Sequence, residues 1–310
     1  MEIHELMVIL GPTASGKTAL AVKMADILNA EIISADSRQV YKGLNIGTGK
    51  DLCEYENDGK PIKHHLIDIL EPEQPYNAFL FKTDAIKAAI NIQSRGKLPL
   101  ICGGTGLYIE TLLLDYRFYK ASRNEQFRAV AENMSNEELA EEIMSLGAEL
   151  SDEDKCNRHR LIRRLEVLKY ESESEKTQDK PLKIGNLHVF GIELPRKIIC
   201  QKISERLKSR IDNGMIEEVE GLIKSGVSLK WLNSLGLEYR FVSKYLNGEI
   251  SREEMFTLLE IAIHQFAKRQ ATWFRRMEKR GIKINWIDGL ALLEEKVEYI
   301  LEIVDFGLEK

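Results

Sequence analysis

What this chain lacks narrows its class before any motif is read. Its four cysteines, Cys53, Cys102, Cys156 and Cys200, are scattered with no paired spacing. That argues against a disulfide framework or a zinc site and fits a reducing compartment. There is no basic excess either. The formal net charge is −5, so any nucleic-acid partner must be met by local patches. No basic-then-apolar leader opens the sequence, and no apolar run approaches the length of a membrane span. A soluble, cytoplasmic protein with no membrane partner is expected. No internal repeat is visible. The histidines, including the pair His64-His65, have no metal-ligand partners at useful spacing and read as structural or surface residues. What remains is 310 residues of 44% hydrophobic composition, enough for a full core in one large or two modest domains.

The clearest positive signal is Gly11-Pro12-Thr13-Ala14-Ser15-Gly16-Lys17-Thr18. It matches the phosphate-loop pattern of Gly, four residues, Gly-Lys-Ser/Thr. An apolar run, Leu6-Met7-Val8-Ile9-Leu10, precedes it and reads as a buried strand. Residues 19–25 follow it and read as the first turns of a helix. The glycines let backbone N–H groups turn toward a diphosphate, and the helix N-terminus adds partial positive charge. Lys17 can neutralise phosphate oxygens, and the Thr18 hydroxyl can ligate Mg²⁺. The competing reading is a Gly-rich turn that only caps a helix.

Strands and helices then alternate. Residues 31–35 read as a second strand ending at Asp36-Ser37-Arg38-Gln39. A glycine-bearing loop follows at 43–50, and a polar surface loop at 55–63. Leu66-Ile67-Asp68-Ile69 reads as a strand, 77–94 as a helix with apolar positions at helical spacing, and 98–102 as a strand stopped by Gly103-Gly104-Thr105-Gly106. Such alternation implies an α/β fold with a mostly parallel sheet. Ligands in open parallel sheets sit outside the carboxyl ends of the strands, so the phosphate loop, the Asp36 loop and the 103–106 loop should converge. Asp36 alone could be a turn or cap residue. Its place at a strand end beside a phosphate site points to catalysis.

From about Tyr119 the pattern turns helical: 124–134, 136–145 and 160–170. Residues 155–169 carry six basic residues against one acid, with Arg160, Arg163 and Arg164 on one side at helical spacing. That face would suit the phosphates of a polyanion, though a charge run is usually only a solvated face. Residues 171–180 read as a flexible loop and 188–194 as a further strand. The helix at 195–213 carries an apolar stripe and a basic ridge, Lys202, Arg206 and Arg210. At least one of the three is expected to reach the phosphate site. Helices follow at 215–224, 235–246 and 251–280. In the last, Lys268 to Arg276 interleaves basic and aromatic residues, which suits nucleic acid or core packing with a charged rim.

Together these stretches resemble the tRNA dimethylallyltransferase (tRNA isopentenyltransferase) family, which prenylates N6 of an adenosine next to the anticodon. The matching residues are 11–18, Asp-Ser-Arg-Gln-Val-Tyr-Lys-Gly at 36–43, Ile-Gly-Thr-Gly-Lys at 46–50 and His-His-Leu-Ile-Asp-Ile at 64–69. Further on come Gly-Gly-Thr-Gly-Leu-Tyr at 103–108, Arg-Leu-Ile-Arg-Arg-Leu-Glu-Val at 160–167, Tyr-Leu-Asn-Gly-Glu-Ile-Ser at 245–251 and Ala-Lys-Arg-Gln-Ala-Thr-Trp-Phe-Arg at 267–275. The resemblance implies a P-loop NTPase-like parallel-sheet core, residues 1–118 and 181–310, with an inserted helical subdomain, 119–180, that contacts the anticodon stem–loop of tRNA. It implies dimethylallyl diphosphate as donor, adenosine 37 as acceptor, and Mg²⁺ as cofactor with Thr18 as its ligand. It gives Asp36 as general base, Thr105 beside the attacked centre, and Arg206 as the diphosphate-binding arginine. It gives Asp36, Ser37, Arg38, Gln39, Thr105, Arg128, Arg160, Arg163 and Arg269 as tRNA contacts. A monomer is expected.

Departures from the family pattern are local. Gly236-Leu237-Glu238-Tyr239 replaces Gly-Tyr-Lys/Arg-Glu/Gln, and Gly49 stands where alanine is common. Ile263-His264-Gln265 replaces Thr-Arg-Gln, and the usual Glu-Gly-Leu after Leu114 is missing. These changes leave the diphosphate residues intact and bear on which tRNAs are used. The rivals are a small-molecule or nucleoside kinase, a nucleic-acid binder with an inactive phosphate loop, and an enzyme that prenylates free AMP. The long basic segments disfavour the first and third. Intact Lys17, Thr18, Asp36 and Arg206 disfavour the second.

Overall fold

The computed structural model describes residues 1–116, 124–170 and 181–304. The loop expected at 171–180 and the boundary expected at 118/119 lie outside them. Two compact units emerge, one of residues 1–116 and 182–310 and one of residues 117–181.

The first unit is built on a parallel sheet. Its strands are β1 (Glu2–Leu10), β2 (Ala30–Ala35), β5 (His64–His65), β6 (Leu98–Gly103), β7 (Lys183–Glu193) and β8 (Asn285–Asp288). A separate two-residue hairpin, β3 (Glu56–Asn57) and β4 (Lys60–Pro61), projects between β2 and β5 in sequence. The sheet order is β5-β2-β6-β1-β7-β8, and every pair in it is parallel. β1 lies in the middle, with Val8 level with both Ile101 and Val189. Its near-continuous apolar sequence follows from that place, because a central parallel strand is covered on both faces. Met7 and Ile9 pack with Leu20 and Met24 of α1 (Lys17–Ile27) and with Ile300 of α13 (Leu293–Ile303). Leu6, Val8 and Leu10, which alternate with them, are equally buried.

The helix starts are chemically marked. Asn77 caps α2 (Ala78–Ser94) by accepting from the amides of Phe79 and Leu80. Ser251 and Glu254 form a capping box at the start of α12 (Arg252–Lys279). A second apolar core gathers α8 (Arg196–Asp212), α9 (Met215–Lys224), α10 (Leu229–Leu235), α11 (Leu237–Leu246) and α12. The helix α3 (Gly106–Leu113) follows β6 directly.

Two expectations are corrected. The strand read at 66–69 is instead the short pair His64–His65, because Leu66 (φ 62°) and Asp68 (φ 52°) take left-handed backbone. The kink coincides with an ion pair between Asp68 and the buried Lys50 ammonium, which also donates to the Tyr41 carbonyl at 2.7 Å and Asn45 Oδ1 at 3.2 Å. The helix read at 235–246 starts at Leu237, just past Gly236 (φ 74°), as α11, and a further helix, α10, precedes it. Past α12 the chain adds an edge strand and a covering helix, β8 and α13.

The second unit holds α4 (Glu125–Ala131), α5 (Asn136–Ser145), α6 (Asp152–Lys155) and α7 (Arg158–Tyr170). Its core is Ala131, Leu139, Ala140, Ile143, Leu161, Ile162 and Leu165. Beside that core lies Glu166, fully buried, which accepts from Arg128 Nε at 3.0 Å and Nη2 at 2.8 Å, Arg163 Nη1 at 2.6 Å and the Asn124 amide at 2.8 Å.

Candidate active site at the carboxyl ends of the strands

Strands β1, β2 and β6 end at Leu10, Ala35 and Gly103, and the three loops that follow them line one cavity. Thr13, Lys17 and Thr18 come from the first loop, Asp36 to Gln39 from the second, and Gly104 and Thr105 from the third. The walls opposite are made by Gly47 to Gly49, Asp51, Glu54 and Tyr55, by Arg206 and Arg210 of α8, by Glu238 of α11, and by Phe266 and Gln270 of α12.

The phosphate loop takes its shape from two left-handed residues, Ala14 (φ 62°) and Gly16 (φ 83°), which turn the chain into α1. Gly11 is buried, and a Cβ there would lie 2.7 Å from Ser15 Oγ. Pro12 is buried as well, and its carbonyl accepts from the Ser15 amide at 3.3 Å and from Lys17 Nζ at 3.3 Å. Burial pushes the Lys17 ammonium below its ordinary pKa. Arg206 donates to Thr13 Oγ1. Burial, with Arg210 beside it, pushes the Arg206 guanidinium down to about 10. Both groups are therefore cations held in a poorly solvated place, and an anionic ligand would relieve that cost.

The Asp36 loop is an Asx turn. Asp36 Oδ1 accepts from the amides of Arg38 at 2.8 Å and Gln39 at 3.3 Å. Among the described residues Oδ2 accepts no hydrogen bond, which leaves one carboxylate oxygen for a ligand proton. The third loop is tied to the second: Thr105 Oγ1 accepts from the Ser37 amide at 3.2 Å, and the Thr105 amide donates to the Ala35 carbonyl at 3.1 Å. The glycines here are required by space, since a Cβ on Gly103 would lie 2.3 Å from the Ala35 carbonyl oxygen.

Arg38 donates to Glu238 Oε2 at 3.0 Å, with its guanidinium 5.7 Å from the Phe266 ring centre. Gln39 donates to the Gly49 carbonyl at 3.1 Å and lies 3.1 Å from Ser34 Oγ. Cys102 is a buried wall of the cavity, its thiol pushed up to about 12 by burial, and so stays protonated and unreactive. Burial and the neighbouring Asp51 also push the Glu54 carboxyl up.

The basic ridge of α8 contributes two residues to the cavity, Arg206 and Arg210, while Lys202 is exposed elsewhere. Arg269 is exposed and does not line the cavity, whereas its neighbour Gln270 does. In the second unit, Arg128 and Arg163 are engaged by Glu166, and Arg160 Nη1 donates to Asp154 Oδ1 at 3.0 Å.

Gln270, Asp51 and Glu54 escaped sequence reasoning as cavity residues, and Glu238 was noted only as a departure from the family pattern. For Gln270 a signal existed. It falls in the buried series Ile263, Ala267, Gln270, Phe274 of α12, and a polar residue on an apolar helical stripe is one that must find partners. The acids at 51 and 54 belong to no pattern and reach the cavity only through the turn at Leu52–Tyr55.

Comparison with known proteins gives the family. The family model described as IPP transferase matches residues 39–277, and that described as isopentenyl transferase matches residues 4–58. A tRNA dimethylallyltransferase 1 of Parabacteroides distasonis is 44% identical over 305 residues, covering 98% of this chain and 99% of the relative. One of Geotalea uraniireducens is 47% identical over 287 residues, covering 92% of each. The solved tRNA isopentenylpyrophosphate transferase of Staphylococcus epidermidis superposes with a TM-score of 0.68 at 32% identity, covering 97% of this chain and 100% of that one. Alike from end to end to these relatives, this chain belongs to the IPP transferase family, that of the tRNA dimethylallyltransferases.

Proposed function

We propose that this enzyme transfers the dimethylallyl group of dimethylallyl diphosphate to N6 of adenosine 37 in tRNA, releasing diphosphate. The observation that carries this reading is that the cationic cradle of Lys17 and Arg206 and the carboxylate of Asp36 line the same cavity. One end of that cavity suits a diphosphate and the other an exocyclic amine. Membership of this family sets the kinase reading aside.

In the proposed reaction the target adenine is flipped out of the anticodon loop into the cavity. The N6 nitrogen attacks the allylic carbon, the bond from that carbon to the diphosphate oxygen breaks, and the N6 proton passes to Asp36. Lys17, the loop amides and Arg206 stabilise the departing diphosphate. An allylic carbon ionises readily, so stabilisation of the leaving group carries more of the barrier than the base does. Thr105, bonded to the amide beside Asp36, keeps the two strand-end loops in register around the attacked centre.

A divalent cation suits this site. The Thr18 hydroxyl and the carboxylates of Asp51 and Glu54 are hard oxygen donors on the cavity wall. Among the described residues no three His, Cys, Asp or Glu side chains converge as a protein-only cage. Mg²⁺ is commonly held by few protein ligands plus substrate phosphates. Thr18 would hold it, and bound there it would supply charge neutralisation for the diphosphate.

The tRNA partner is read as its anticodon stem–loop. Ser37, Arg38 and Gln39 would face the flipped base, and Arg128, Arg160, Arg163 and Arg269 the backbone. Among the described residues no helix is long and apolar enough to cross a membrane. A monomer acting in the cytoplasm is the expected form. The deciding experiment is transfer of label from dimethylallyl diphosphate to an anticodon stem–loop carrying the target adenosine, with Mg²⁺. Free AMP and a stem–loop with guanosine at that position serve as controls. Label in the adenosine stem–loop alone supports the reading. Label in AMP, or none in any acceptor, overturns it.

A further inference from the structure

One arginine in the cavity has a place built for it and, among the described residues, no hydrogen-bond partner. Arg210 lies one helical turn beyond Arg206 on α8, so both guanidinium groups fall on one face and line the same cavity. The Arg210 side chain is only 12% exposed. Its closest counter-charge is Glu238 Oε1 at 3.9 Å, while Glu238 Oε2 is taken by Arg38 at 3.0 Å. Among the described residues none of its N–H groups makes a hydrogen bond. A guanidinium carries five donors in a fixed fork. Keeping one mostly out of water, beside a second guanidinium and with one stretched ion pair, is costly unless an anion completes it.

The backbone makes room for this group. At Gly49 (φ 65°) a Cβ would fall 1.8 Å from Arg210 Nη2 and 2.8 Å from its Cζ. The guanidinium is seated against bare main chain, and any side chain at position 49 would push it out.

We propose that Arg210 is a second diphosphate-binding arginine, seated in the slot left by Gly49 so that it and Arg206 grip the donor's diphosphate together. This rests on reading the cavity as the donor site. Two forks on successive turns of one helix match the two phosphate groups of a diphosphate, each able to accept a paired N–H contact. Lys17 at the loop then completes a three-cation cradle. Glu238 holds the balance of charge when the donor is absent.

Calorimetric titration of inorganic pyrophosphate into the full-length protein tests this, with stem–loop binding measured in parallel. Arg210→Ala should weaken pyrophosphate by about 10- to 100-fold, the usual effect of losing a charge-assisted contact. Stem–loop affinity should stay within about threefold. Gly49→Ala should weaken pyrophosphate comparably. In the Arg210→Ala background it should add nothing, because its methyl acts through that side chain. If Arg210→Ala misfolds, Arg210→Lys and Gly49→Ala carry the same expectation. Wild-type pyrophosphate affinity in these variants overturns the proposal. A loss confined to the stem–loop also overturns it, by assigning the arginine to an RNA phosphate. Wild-type protein that fails to bind pyrophosphate would sink the donor-site reading itself, a separate result.

Discussion

Gln270 and Thr13, 257 positions apart, are joined by a 2.8 Å hydrogen bond from the Thr13 amide to Gln270 Oε1. The same side chain donates through Nε2 to the Gly104 carbonyl, also at 2.8 Å. One amide side chain from α12 therefore spans the phosphate loop and the loop after β6. It fixes the spacing between the phosphate loop and the loop that carries Thr105. Only a primary amide offers an acceptor and a donor in that arrangement.

Gln270→Ala should lower kcat/KM by about 10- to 100-fold, since small misplacements of reacting groups carry that cost. Gln270→Glu keeps the acceptor for Thr13 but sets a carboxylate against the Gly104 carbonyl, and should do no better. Steady-state prenyl transfer is the check, and wild-type turnover in Gln270→Glu would show that the bridge to Gly104 is idle.

Lys17→Ala and Arg206→Ala should each lower turnover by about two to three orders of magnitude, the usual cost of one charge-stabilising donor. Single-turnover label transfer at saturating stem–loop measures this directly. Full turnover in Arg206→Ala would remove that residue from the diphosphate site.

Gly106→Ala should destabilise the first unit by about 1 to 3 kcal/mol, the range for overpacking. A Cβ there would lie 2.4 Å from Trp273 Cδ1. That ring cannot retreat easily, because the Arg276 guanidinium stacks 3.9 Å from its centre and is itself paired with buried Glu110 at 3.2 Å. The denaturant midpoint together with tryptophan emission would register the strain. An unchanged midpoint would mean that α12 gives way freely.

Acid should loosen the second unit through Glu166. Burial pushes its carboxyl up, but the bonds from Arg128, the Asn124 amide and Arg163 outweigh that and hold it at about 2, against an ordinary value of 4.5. A depressed carboxyl stabilises the fold fully above its unfolded value. Its contribution is lost as pH falls from about 4.5 toward 2. Glu166→Gln should cost about 3 kcal/mol at neutral pH, since it removes the one buried charge on which Arg128 and Arg163 converge. Hydrogen exchange of α4 and α7 in the full-length protein reads both effects. Protection in the variant equal to wild type would show that the network contributes little.

The local features of this chain were legible before any coordinates. The phosphate loop, the strand ends at Ala35 and Gly103, and the capped helices at 78–94 and 252–279 are written in short-range patterns. Periodicity, caps and glycines act over a few residues, so a linear reading suffices. Even the convergence of three loops followed from one rule about parallel strands. Asp36 was marked by its place at a strand end, whereas Thr105 and Arg206 were singled out only by the family resemblance.

Tertiary structure decided the rest. That Arg206 and Arg210 both face the cavity depends on how α8 is rotated against α11 and α12. That Arg128 and Arg163 turn inward depends on a buried Glu166 that no spacing reveals. Asp51, Glu54 and Glu238 reach the cavity from segments far apart in sequence, and the 66–69 run was turned from strand to kink beside the buried Lys50. In each case the outcome is set by contact between distant segments, where burial makes an unpaired polar group costly. That constraint exists only once the chain has closed on itself.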